Sequence, residues 1–211
     1  MDLDGLAGAF QQRFDTKMGA REAALAASRK AIRSSANAIR AIHRGETEVA
    51  RDLMEQAAAS LEEALAATDD HPDLLYAGYV HDAQKEYAEA RVTESVVFGK
   101  ELPGPEDLGV QDAPYLNGIA EAIGEVRRTI LDLLRQGEVD RGEELLQTMD
   151  DLYSLLVTID YPDAITGNLR RSTDVARSIM EKTRGDLTIA LVQKGLRDAL
   201  ERHAEDLHGR E

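Results

Sequence analysis

The stretch DYPDAITGNLRRSTDVARSIMEKTRGDLT, residues 160–188, carries its charges in a helical rhythm. Arg170, Asp174, Arg177, Glu181 and Arg184 follow one another at steps of 4, 3, 4 and 3, which puts all five on one face of an α-helix. The corner Asp160-Tyr161-Pro162 precedes that helix, because proline suits a first turn and breaks an interior. Arg184-Gly185 reads as its end, and Asp186 as the cap of a further helix reaching about residue 208. An alternating ladder on a solvated face adds only about 0.2–0.5 kcal/mol per pair, so on its own it is a helix signal and not a site.

The same signature extends outward in the N-terminal direction. Ala, Leu, Glu, Arg, Asp and Gln dominate, and strand-type runs of Val, Ile, Thr and Tyr are missing. Pro72, Pro103, Pro105, Pro114 and Pro162 all sit where apolar periodicity breaks. The pattern predicts a first helix over 4–44, stopped at Gly45, and a second over 46–68. A third starts at Pro72 and reaches about 99, a fourth runs from Pro114 to 137, and a fifth covers 139–159. Residues 100–113 form the one clear loop. With no linker and no internal repeat, residues 1–211 read as a single all-α domain of about seven antiparallel helices.

Composition narrows the function classes. Lys plus Arg total 25 and Asp plus Glu total 40, so the formal charge is 25 − 40 = −15, and the pI is near 4.8. Taken whole, that charge argues against a nucleic-acid binder. Abundant acid with few lysines suits a salt-rich, halophilic cytosol. The chain has no cysteine, which excludes disulfides, thiolate zinc sites and cysteine nucleophiles. It has no apolar run long enough to span a membrane, and Met1-Asp2-Leu3-Asp4 does not resemble a signal peptide. A cytoplasmic protein without membrane attachment is expected.

The acid is unevenly spread. Residues 23–45 contain no Asp or Glu, where the average composition would place about four. The same window holds Arg29, Lys30, Arg33, Arg40, His43 and Arg44. Arg29, Arg33, Arg40 and Arg44 share one helical face, a stripe able to neutralise phosphates or to pair with acids elsewhere.

A second cluster is acidic. Asp82, Glu86 and Glu89 lie on one face of the third predicted helix, and Glu121 and Glu125 stand at i and i+4 on the fourth. Consecutive helices tend to lie side by side, so the pairs can face each other. Such carboxylates repel unless a cation sits between them, and oxygen-only ligands suit Mg²⁺ or Mn²⁺. These ions activate water and stabilise charge on a phosphoryl oxygen. The competing reading is a solvated acidic face. HExxH, Walker A, G-x-S-x-G and GxGxxG motifs are absent.

Residues 160–188 closely resemble the C-terminal signature of archaeal members of the translin superfamily, which contains translin and translin-associated factor X. Ser28-Arg29 and His43-Arg44 fall at matching places in a long first helix. KEYAEA, residues 85–90, is similar to the QEYVEA segment of factor X, and YLNGIAEAIGE, residues 115–125, to its YLLGVADLTGE segment. The resemblance covers roughly residues 15–205. It implies an all-α fold of seven helices, a homo-octameric shell with an internal cavity, and binding of RNA and single-stranded DNA. In the factor X branch it implies a Mg²⁺-dependent endoribonuclease, with Glu86, Glu89, Glu121 and Glu125 as the catalytic acids. Glu121 stands where that branch has Asp.

The leading expectation is therefore a metal-dependent endoribonuclease in which Glu86, Glu89 and Glu121 hold Mg²⁺ (or Mn²⁺), with Glu125 a further ligand or orienter of the water. Arg29, Arg33, Arg40, His43 and Arg44 are the expected nucleic-acid contacts. One alternative is a translin-like nucleic-acid-binding scaffold without hydrolysis. Another is an all-α NTP pyrophosphatase, whose folds also set carboxylates on neighbouring helices around Mg²⁺ and against which the 160–188 signature argues.

Overall fold

Six long helices and three single turns follow one another, with no strand among the described residues, 2–208, of the computed structural model. They are α1 (Leu3–His43), α2 (Thr47–Ala66), α3 (Pro72–Leu75), α4 (Gly78–Phe98), α5 (Pro105–Leu108), α6 (Asp112–Gln136), α7 (Val139–Val157), α8 (Asp163–Thr166) and α9 (Leu169–His208). The protein is all-α. None of these helices is long and apolar enough to cross a membrane.

The helix α1 is about 60 Å long at 1.5 Å per residue. The Asp2 side chain starts it by accepting the Gly5 N–H at 2.9 Å. It turns back into α2 at Gly45, whose φ of +72° suits a residue without Cβ. Fully buried alanines hold the two together: Ala24, Ala31 and Ala38 on α1, and Ala50, Ala57 and Ala64 on α2. Each series repeats every seventh residue, the spacing of a close left-handed helix pair. Next, α1 packs on α4, α4 on α6, and α6 on both α7 and α9. Ile119, Ile123, Val126 and Ile130 make α6 the centre of the core, each 0% exposed.

Two of the helix boundaries expected from the sequence are corrected. The helix expected from Pro72 breaks after one turn, because Ala77 is extended (φ −70°, ψ 140°) and its carbonyl caps the start of α4. The helices expected on either side of Gly185 are one continuous α9. Asp186 does not cap, because its carboxylate is held by Arg127 Nη2 at 2.8 Å, while Arg127 Nη1 donates to Thr183 Oγ1 at 3.0 Å. Leu187 is fully buried. A mid-helix glycine costs about 1 kcal/mol, and burying a leucine returns about 1.5–3 kcal/mol, so the helix runs through. The charge ladder also disperses: Arg177 pairs with Glu181, but Arg170 reaches Asp160 and Arg184 reaches Asp150 on α7.

Both long helices overhang the bundle. Leu3, Leu6, Phe10, Phe14 and Met18 at one end, and Ile189, Val192, Leu196 and Leu200 at the other, are between 46% and 68% exposed. Each set follows helical spacing and forms an apolar stripe.

The contact that places the acidic residues is between α4 and α6. A Cβ added to Gly118 would lie 2.8 Å from the Lys85 carbonyl oxygen and 2.9 Å from both the Glu89 nitrogen and Ala88 Cβ. Two of those three atoms are backbone and cannot yield. Gly118→Ala is therefore expected to force α4 and α6 apart and to cost about 1–3 kcal/mol. Chemical denaturation checks this, and an unchanged midpoint would contradict the close approach.

Candidate carboxylate site

Glu86 and Glu89 project from α4, one turn apart, and Glu121 projects from α6 across the Gly118 contact. One carboxylate oxygen from each lies within 4.8 Å of the others. Glu89 is the innermost at 8% exposed, and among the described residues it makes no hydrogen bond or ion pair. A buried, unpartnered carboxylate is costly. Burial first, and then the negative charges of Glu86, Glu121 and Glu125, push its carboxyl from 4.5 up to about 8. Burial raises Glu86 as well, with the Lys85 ammonium pulling against it.

Lys85 is the cation inside this group. Its Nζ lies 2.6 Å from Glu121 Oε1 and 3.6 Å from Glu86 Oε1. Burial disfavours the ammonium, but the hydrogen bond to Glu121 and the charges of Glu121, Glu86 and Asp82 outweigh it and hold the lysine pKa above its usual value. Asp82 is exposed and outside the triad.

Glu125 stands one turn beyond Glu121 and is engaged separately. His43 Nε2 lies 2.5 Å from Glu125 Oε2 and donates to it, since an ionised carboxylate only accepts. The Thr129 hydroxyl lies 3.5 Å from the other ring nitrogen. This hydrogen bond from His43 holds the Glu125 carboxyl below its ordinary value against the opposing effect of burial. The His43 side chain is 3% exposed. It was grouped with the arginine stripe in the sequence, but it turns inward to the carboxylates, and its ring is withdrawn from the surface.

Arg29, Arg33 and Arg40 on α1, and Arg44 just past its end, are all exposed. Arg40 donates to Asn37 at 2.6 Å and Arg44 holds Glu46 through two bonds. Arg29 and Arg33 have no hydrogen bond or ion pair among the described residues.

A cleft of about 400 Å³ opens from the carboxylates towards α9. It is lined by Glu89, Ala120 and Glu121 on one side and by Arg171, Ser172, Val175 and Ile179 on the other. The α9 wall is fastened to α6 through Asn117, which is 2% exposed. Asn117 Nδ2 donates to the Thr166 carbonyl at 2.8 Å, and its Oδ1 accepts the Ser172 hydroxyl at 2.8 Å. Neither Lys85 nor this wall was singled out in the sequence. Arg171 falls off the 170–184 ladder, and the tandem Arg170-Arg171 one residue after Gly167-Asn168 was its one available signal.

The donor set fits a hard divalent cation: all ligand atoms are oxygens, two helices supply them, and one carboxylate is buried without a partner. In the absence of an ion, ionising Glu89 costs stability. Its folded pKa is raised, so its contribution is full below about pH 4.5 and is lost as pH rises through about 8. In chelator, Glu89→Gln is expected to match the wild type near pH 5 and to melt at higher temperature near pH 9. A difference that does not grow across that window would contradict the buried, crowded carboxylate.

No family model matches the chain. Among solved structures, a complex of AfC3PO with duplex RNA has a TM-score of 0.82 and 32% identity over 92% of this chain and 98% of that one. A crystal structure of AfC3PO has a TM-score of 0.81 and 31% identity, with the same coverage. Apo-NeC3PO, at TM-score 0.76 and 21% identity over 90% of this chain and 97% of that one, is alike in fold. An uncharacterized protein of Methanocaldococcus jannaschii is 33% identical over 128 residues, 60% of this chain. The match spans 57% of that relative's length.

Proposed function

The chain belongs to the translin superfamily, and from that premise we propose that it binds RNA and single-stranded DNA and hydrolyses RNA with Mg²⁺ or Mn²⁺ at the carboxylate site. The carrying observation is Glu89: a residue nine-tenths buried, whose carboxylate has no partner among the described residues and faces Glu86 and Glu121, is best explained by a cation that those three residues hold. The similarity to a protein solved with duplex RNA supports the choice of nucleic acid. When bound, such an ion supplies a Lewis acid for the phosphoryl oxygen and lowers the pKa of water.

The chain's own residues do the rest. Glu86, Glu89 and Glu121 fix the position of positive charge at the floor of the cleft. Glu125, held ionised by His43, is the acid this reading assigns to orienting the water. Exposed Arg29, Arg33, Arg40 and Arg44 offer positive charge to the strand backbone. The overhanging apolar stripes of α1 and α9 give a homo-oligomer, an octamer by resemblance, the surfaces it needs.

Glu86→Ala and Glu89→Ala are each expected to abolish Mg²⁺-dependent cleavage of RNA while leaving assembly intact. Unchanged cleavage in both would refute the site.

One observation favours the second reading, a nucleic-acid-binding scaffold without hydrolysis. The Lys85 ammonium already supplies a cation to Glu121 and Glu86. Calorimetric titration with Mn²⁺ separates the two readings. The hydrolase reading expects wild-type protein to bind Mn²⁺ and Lys85→Gln to bind it more tightly, because a competing charge is gone. The scaffold reading expects retention of labelled RNA without product and no Mn²⁺ uptake by the wild type.

A further inference from the structure

We propose that Arg171 is the phosphate-binding residue of the carboxylate cleft, holding a single strand on the wall opposite Glu89 and Glu121. The inference rests on the reading of the site as one that takes nucleic acid, and adds the side chain that receives the strand there.

Among the described residues, Arg171 is the one cation that lines the cleft. It is exposed, and among the described residues it has no hydrogen bond or ion pair. Its neighbour Arg170 is satisfied by Asp160 at 3.0 Å, Arg177 by Glu181 at 3.1 Å and Arg184 by Asp150 at 2.7 Å. The arginine facing the carboxylates across the cleft keeps its fork of donors free. A planar guanidinium meets two phosphate oxygens at once and stays charged at any working pH.

The position is fixed from below. Leu169 is 1% exposed and anchors the first turn of α9. The Ser172 hydroxyl is bonded to Asn117, four residues before Glu121 on α6. Arg171 therefore springs from the same frame that carries the third carboxylate. Beyond it, Val175 and Ile179 line the rest of this wall with aliphatic carbon, a surface for the flat face of a base or for ribose carbons.

Charge and size select the ligand class. An anionic strand approaching Glu89 and Glu121 is repelled, and Arg171 offsets that repulsion at the point of closest approach. A volume of about 400 Å³ is that of a small-ligand pocket, with room for a nucleotide of a splayed strand and not for a stacked duplex.

The test uses full-length protein and a fluorescein-labelled oligouridylate, with anisotropy read in EDTA across a KCl series, so that binding is measured without cleavage. Arg171→Gln is expected to weaken binding and to reduce the slope of log K against log salt by about 0.7, the value of one phosphate contact on a single strand. Arg171→Lys keeps most of the slope, and Arg170→Gln, outside the cleft, leaves slope and affinity as in the wild type. Matching thermal melts show that the variants fold alike. A wild-type slope in Arg171→Gln overturns the assignment and leaves the reading of the site standing. A wild type that retains no oligouridylate at any salt overturns that reading, and the assignment with it.

Discussion

Three carboxylate oxygens within 4.8 Å of one another repel, and the bundle has to hold them there. Everything around the site answers that constraint. Gly118 lets the two helices approach until no carbon fits between them. The isoleucines of α6 lock that helix into the core. Lys85 offsets part of the charge, and proton uptake by Glu89 removes another part. The fold thus spends rigidity on an arrangement that electrostatics alone would push apart.

The net charge of −15 takes on a different meaning once it is placed in space. It belongs to a solvated exterior and to one concentrated cluster. The cations are local as well: an exposed row on α1, Lys85 within the acids and Arg171 across from them. At physiological salt an exposed charge is felt over about 8 Å, so a strand in the cleft senses these neighbours more than the total.

The fold class was legible in the sequence because helical periodicity is a local property. The steps of 4 and 3 linking Asp82, Glu86 and Glu89 were enough to put them on one face of a helix. What was not legible depended on distant partners. Gly185 reads as a stop until Arg127, 59 positions before Asp186, takes that carboxylate away from capping. His43 looks like one more member of a basic stripe until α6 brings Glu125 to its ring. Lys85 stands four residues before Glu89 and shares its face, but the partner that fixes its ammonium, Glu121, lies 36 residues on in α6.

The unbroken course of α9 has a mechanical consequence. Arg171 and Leu200 lie on one rod, and the rod is clamped along its length by Ala176, Met180 and Leu187. Gly185 introduces no joint, because the residues on both sides of it are tied to α6 through a single arginine. The wall of the cleft therefore has no hinge of its own. It moves only as the whole lever moves, and the far arm of that lever is the overhanging apolar end.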